Sequence, residues 1–242
     1  MPLIYGNQAV NEALRSQNKV ERLYVQSGHR NETGQLVAEA RRQEVEVKVV
    51  DRKELDKICR DGRHQGIAAQ VAHRRYGLDD LLAIAEERNE PPLLLVVDHI
   101  EDPHNLGAVI RTAEAAGFHG AIIPTRRAAP VTATVVRAAA GATAHLPLVF
   151  VGNLSQAIGK LREQDVWVVG LEGEAELSIY KADLKGALAL VIGAEGKGIG
   201  HAVAKNCDFL VNIPLFGEVD SLNASVAFGV AAFEASRQRR NL

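Results

Sequence analysis

Residues 93–98 read Leu-Leu-Leu-Val-Val-Asp, and residues 188–193 read Leu-Ala-Leu-Val-Ile-Gly. Neither run alternates apolar with polar side chains, so each predicts a strand buried on both faces. Such strands belong to parallel sheets with helices on either side. Four more runs have the same character: Gly-Ala-Ile-Ile-Pro at 120–124, Leu-Pro-Leu-Val-Phe-Val at 146–151, Val-Trp-Val-Val-Gly-Leu at 166–171 and Phe-Leu-Val-Asn-Ile-Pro at 209–214. Segments 106–117, 131–142, 153–164 and about 222–239 lie between or after them and carry helical spacing. Six strands and at least four helices predict an α/β domain over residues 93–242, with its ligand crevice beyond the carboxyl ends of the strands.

Upstream, residues 1–75 form a smaller α/β pattern. Strands are expected at 20–26, 45–50 and 67–72, where β-branched residues recur with period two, and helices at 7–16, 33–43 and 52–60. A His64-Gln65-Gly66-Ile67 turn leads into the third strand. Residues 76–92 are charged, weakly helical and end in Pro91-Pro92, which reads as a linker with one short helix.

Composition excludes several classes. Charged residues are 24% and hydrophobic residues 47% of the 242, a balance that disordered chains do not have. No run approaches the roughly 18 apolar residues of a membrane span, and the start Met-Pro-Leu-Ile-Tyr-Gly lacks the layout of a secretion signal. Cys59 and Cys207 are the only cysteines, which is neither a disulfide framework nor a zinc pattern, so a cytoplasmic location is expected. The net charge of −2 hides an asymmetry: residues 1–75 carry 14 basic against 10 acidic side chains, the remainder 14 against 20. A basic front on an acidic back predicts nucleic-acid contact at the front, with Arg15, Arg22, Arg41, Arg42, Arg63, Arg74 and Arg75 as candidates.

Three strand-end loops stand out. After 98 comes His99-Ile100-Glu101-Asp102-Pro103-His104-Asn105, where Asn105 is the expected helix N-cap and Pro103 stiffens the approach. Arg111 falls off the buried stripe Leu106, Val109, Ile110, Ala113, on the loop side of that helix. The second loop, Gly193-Ala194-Glu195-Gly196-Lys197-Gly198, permits close backbone approach to a ligand but matches neither the Walker nor the dinucleotide spacing. The third runs from Ile213 to Asn223, where Ser221 or Asn223 can cap the last helix. There is no serine-nucleophile elbow and no metal-ligand spacing. The eight histidines are scattered singly, and His104 is the one taken as belonging to a candidate loop. A dinucleotide oxidoreductase would need a glycine fingerprint after the first strand, and the sequence there is His-Ile-Glu-Asp-Pro.

Taken together, Asp-x-x-x-Asp-Pro-x-Asn-x-Gly-x-x-x-Arg (98–111), Ile-Gly-Ala-Glu-Gly-x-Gly (192–198) and Ile-Pro-x(7)-Leu-Asn-x-Ser-Val-Ala (213–227) resemble the three motifs of the SpoU/TrmH family. The family comprises S-adenosylmethionine-dependent RNA ribose 2′-O-methyltransferases, and the resemblance extends over the front segment, which looks like its substrate-binding domain. It implies a SPOUT-type parallel sheet with a C-terminal trefoil knot, an exception to the rule that chains do not thread loops. It further implies a homodimer through the C-terminal domain, no metal, and RNA as partner. The subgroup it most resembles methylates a guanosine in the peptidyl-transferase P loop of 23S ribosomal RNA. Leu215-Phe216 and Ala224 depart from that subgroup's pattern, and a tRNA methyltransferase or a non-catalytic RNA-binding relative are the alternatives. By the resemblance Gly193, Gly196, Ile213 and Leu222 hold the cofactor. Arg111 is the catalytic arginine, positioned by Asn105 and Glu195, with Ser221 and Asn223 completing the polar wall.

Overall fold

The computed structural model describes residues 3–15, 20–28, 30–59, 64–71 and 76–240. The chain divides into two compact units, Met1–Arg75 and Tyr76–Leu242.

The first unit runs β1 (Leu3–Tyr5), α1 (Asn7–Arg15), β2 (Val20–Gln26), α2 (Arg30–Arg42), β3 (Glu46–Val50), α3 (Arg52–Cys59) and β4 (Ile67–Val71). The sheet order is β1-β4-β2-β3, with β2 and β3 parallel and β4 antiparallel to both its neighbours. Strand β4 shows why: Ile67, Ala69 and Val71 enter a core with Val10, Leu14 and Leu23, while Ala68 faces Val50, Leu55 and Cys59. Helices thus cover both faces of the sheet, and the period-two alternation sorts side chains between them. The turn before β4 is fastened by buried His64, whose Nε2 lies 2.9 Å from Asp56 Oδ1 and whose Nδ1 accepts from Gly66 N at 3.0 Å. Strand β1, only three residues long, is too short for periodicity to reveal.

The second unit begins with α4 (Leu78–Glu87), within the stretch 76–92 that the sequence suggests is a connector. Leu81 of α4 is fully buried with Leu94, Val96 and Ile122, so this segment is part of the domain's own core. There follow β5 (Leu93–Val97), α5 (Pro103–Ala115), β6 (Gly120–Pro124), α6 (Ala133–Ala138), β7 (Leu148–Val151), α7 (Leu154–Arg162), β8 (Trp167–Leu171), β9 (Leu177–Ser178), β10 (Leu188–Ile192), α8 (His201–Ala204), β11 (Phe209–Asn212) and α9 (Ala224–Arg240). Seven strands, all parallel, are ordered β7-β6-β5-β10-β8-β11-β9. The six runs expected from sequence are all present, and the two-residue edge strand β9 is additional.

Strand β5 displays the double burial that its composition implies. Leu93, Leu95 and Val97 pack under α5, α6 and α9 on one face, and Leu94 and Val96 under α4 and α7 on the other. Phe118 meets Phe228 of α9 edge-on at 5.5 Å, within the first of these cores. Because β6 and β7 extend the sheet one way from β5 while β10, β8 and β11 extend it the other, the order reverses between β5 and β10. A crevice opens where helices depart to opposite faces, and the loops after β5 and β10 meet there. Among the described residues, no helix is long and apolar enough to cross a membrane.

Candidate active site

Helix α5 starts at Pro103, not at Leu106. Asp102 is its N-cap, accepting from His104 N at 2.9 Å, and Pro103 takes the first helical position, where its missing N–H costs nothing. Asn105 is therefore freed from capping and sits inside the first turn. At the far motif the cap is Asn223: its Oδ1 accepts from Ser225 N at 2.9 Å and Ser225 Oγ at 2.6 Å, just before α9. Ser221 is exposed and has no hydrogen-bond partner among the described residues.

The other end of the same amide joins the three loops. Asn223 Nδ2 donates to Asn105 Oδ1 and to Glu195 Oε2, each at 3.0 Å. One residue before α9 thus binds the first turn of α5, 118 positions away, and the loop after β10, 28 positions away. Arg111 is exposed on α5 and makes no hydrogen bond or ion pair among the described residues. The expectation that Asn105 and Glu195 position Arg111 is corrected accordingly: their oxygens are turned to Asn223.

The loop after β10 is a tight turn closed by Ala194 and Gly198, whose backbones exchange hydrogen bonds of 3.0 and 2.9 Å. A Cβ on Gly193 would stand 2.0 Å from the Gly198 carbonyl oxygen, so no side chain fits. Gly196, at φ +71°, occupies the left-handed region with open space beside it. Glu172, after β8, accepts from Ile199 N at 3.2 Å and holds the exit of the turn. The start of the first loop is anchored as firmly. Asp98 is buried; its Oδ2 accepts from Gly200 N at 2.7 Å and its Oδ1 lies 2.6 Å from His99 Nδ1.

These loops enclose a cavity of about 530 Å³, lined among others by His99, Glu101, Asn105, Glu195, Lys197 and Gly200. His99 belongs to it, whereas His104 is exposed on α5 and does not line it. Singling out His104 is therefore corrected. The signal for His99 was its position directly after a strand-end aspartate. Ile213 is half-buried against the α5/α9 core, and Leu222 is half-buried beside Asn223. Asn212, which precedes Ile213, holds a buried Oδ1 with no hydrogen-bond partner among the described residues. An acceptor left unpaired at a strand end fits a ligand with polar N–H donors. Cys207, on the opposite sheet face, has its thiol pushed up to about 12 by burial and by Asp208, which leaves it a packing residue.

Residues 92–233 match the SpoU rRNA Methylase family, and residues 3–77 match the RNA 2′-O ribose methyltransferase substrate-binding family. A protein of Vibrio cholerae named 23S rRNA (guanosine-2′-O-)-methyltransferase RlmB is 44% identical, over 98% of this chain and 97% of its own. A Bacillus subtilis protein assigned to the TrmH family of tRNA/rRNA methyltransferases is also 44% identical, over 98% of this chain and 95% of its own. Among solved structures, the SpoU methyltransferase AviRb of Streptomyces viridochromogenes, in complex with AdoMet, superposes with TM-score 0.82 at 25% identity, covering 99% of this chain and 91% of that one. The AdoMet-bound rRNA methyltransferase of Sinorhizobium meliloti does so with TM-score 0.78 at 26% identity, covering 99% and 87%.

A parallel sheet with a strand-end crevice, preceded by a separate substrate-binding unit, defines the class of two-domain RNA methyltransferases. The chain belongs to the SpoU rRNA methylase family.

Proposed function

We propose that the protein methylates the ribose 2′-hydroxyl of a guanosine in the peptidyl-transferase P loop of 23S ribosomal RNA, in the cytoplasm. The coarser activity, S-adenosylmethionine-dependent RNA 2′-O-methylation, follows from family membership. The observation that carries the reading of the site is the Asn223 amide bound to both Asn105 and Glu195, which ties the three motif loops into one wall.

S-adenosylmethionine, when bound, supplies an electrophilic methyl group on a sulfonium. Gly193, Gly196, Ile213 and Leu222 would hold it, the glycines by admitting close approach and the two apolar side chains by flanking an adenine. Arg111 would serve the RNA. A guanidinium cannot act as a general base, because it stays protonated at every relevant pH. It can grip a phosphate and stabilise negative charge developing on the 2′-oxygen. Its lack of a hydrogen-bond or ion-pair partner among the described residues supports that role. Ser221 would add a further hydroxyl to the wall beside Asn223.

Phosphate contacts by the first unit would bring the RNA to the site. Arg15 and Arg41 are exposed, whereas Arg22 and Arg42 are paired with Glu46 and Glu39. Arg63, Arg74 and Arg75 lie outside the described residues. The trefoil knot and a homodimer through the second unit complete the proposal. The half-exposed Val226 and Phe233 of α9 are apolar surface that a second copy would cover. The assignment of the Bacillus relative to tRNA/rRNA methyltransferases keeps a tRNA substrate as a second reading.

The test is Arg111→Lys and Arg111→Ala, assayed for methylation of a 23S fragment and of tRNA and for cofactor affinity. We expect near-normal cofactor binding in both variants and a rate loss of about 10²–10³ in Arg111→Ala, with partial recovery in Arg111→Lys. Full activity of Arg111→Ala would overturn the role of Arg111, and methylation of tRNA alone would overturn the ribosomal target.

A further inference from the structure

The 2′-hydroxyl must lose a proton as it is methylated, and the step needs an acceptor for it. Arg111 cannot take it. The Glu195 Oε2 oxygen is engaged by Asn223, and Asp102 is engaged as the cap of α5. Both oxygens of buried Asp98 are used, one by Gly200 N and one by His99. Glu101 is exposed.

We infer that His99 is the proton acceptor, oriented by Asp98. Resting on the methyltransferase reading of the site, the inference adds a catalytic residue to it. Three observations converge on His99. Its Nδ1 lies 2.6 Å from Asp98 Oδ1, and a proton on Nδ1 leaves Nε2 as the lone-pair nitrogen. The ring lines the cavity of about 530 Å³ together with Asn105 and Glu195, and Nε2 has no partner among the described residues. Its backbone, at φ +57°, is in the left-handed region, which few non-glycine residues adopt. Asp98 is itself held by Gly200 N at 2.7 Å, from 102 positions away.

The step balances. The 2′-oxygen forms its bond to the methyl carbon, the carbon–sulfur bond breaks with its electron pair returning to sulfur, and the hydroxyl proton passes to His99 Nε2. The positive charge lost by the sulfonium reappears on the imidazolium, next to the Asp98 carboxylate. The ionisable groups sharing the cavity are Glu101 and Asp102 from the same loop and Glu195 and Lys197 from the turn after β10; α9 contributes only Ala224 and the approach to α8 only Gly200.

His99→Gly and His99→Asn test this, since both residues accept a positive φ and keep the loop foldable. Single-turnover methylation of a 23S fragment is followed against pH, alongside calorimetric S-adenosylmethionine affinity. In both variants we expect a loss of about 10²–10⁴ in rate, a pH profile that differs from the wild type's, unchanged cofactor affinity, and recovery of His99→Gly by added imidazole. Wild-type rate and pH profile in both variants would overturn the inference, leaving solvent as the acceptor, as would a loss that imidazole does not recover. A wild-type protein that methylates no RNA would overturn the underlying reading instead.

Discussion

At the scale of single residues, packing at Gly193 and burial at His119 make two predictions. A methyl group on Gly193 has nowhere to go, because its Cβ would meet the Gly198 carbonyl carbon at 2.1 Å as well as the oxygen. Relief requires opening the 194–198 turn, an overpacking cost of roughly 1–3 kcal/mol. Gly193→Ala should therefore weaken calorimetric S-adenosylmethionine binding while thermal stability falls by only that amount; unaltered affinity would count against this turn as the cofactor cradle. His119 is fully buried at the start of β6, its Nδ1 accepting from Leu93 N at 3.0 Å. Burial lowers its pKa from the ordinary 6.5, with neighbouring Arg88 acting in the same direction. The unfolded chain then binds a proton that the folded one refuses, so stability drops as pH falls below 6.5. His119→Asn keeps a hydrogen-bond acceptor without titrating. Melting curves between pH 5 and pH 7.5 should show the wild type losing more on acidification than the variant.

At the scale of elements, the close approach of α5 to α6 positions the first motif loop. Gly107 permits it: a Cβ there would lie 2.4 Å from Ala138 Cβ and 2.8 Å from the Val135 carbonyl oxygen. Alanine gains up to about 1 kcal/mol of helix propensity over glycine, but separating two helices whose backbones nearly touch costs roughly 1–3 kcal/mol. The steric term wins, so Gly107→Ala should lower the melting temperature and loosen Asn105 against Asn223; a higher melting temperature would show that the helices have slack. The last helix is fixed at both ends. Asn223 caps its start, and near its end Arg239 donates to the carbonyl oxygens of Pro91 and Gly186, just before β5 and β10. Helix α9 therefore fastens the two central strands whose far ends carry the site.

At the scale of the whole molecule, each unit has its own buried core, which is what independent folding requires. Removing residues 1–75 should leave S-adenosylmethionine binding intact and abolish RNA binding. In the full chain, RNA affinity should fall steeply with salt as counterions are released from phosphate contacts. Equal RNA affinity in the truncated protein would move the RNA surface onto the second unit. Light scattering should give twice the 26.1 kDa chain mass; a species of single-chain mass at micromolar concentration would remove the dimer from the proposal.

The sequence by itself determined that residues 93–98 and 188–193 are central parallel strands, because burial on both faces leaves an unbroken apolar run. It also marked the strand-end loops whose Asn105, Glu195 and Asn223 the structure brings together, since such polar side chains are visible wherever they lie. Helix starts were less legible: Asp102 and Asn105 are both good caps, and only the fit of Pro103 into the first turn chose between them. Tertiary structure alone decided that β10 inserts between β5 and β8, that Asn223 rather than Arg111 receives Asn105 and Glu195, and that His99 joins the cavity. The physical reason is range. Periodicity and capping act over a few residues, whereas Asn223 with Asn105 and Gly200 with Asp98 are contacts across 118 and 102 positions. Such contacts exist only once the strand order has brought the loops together.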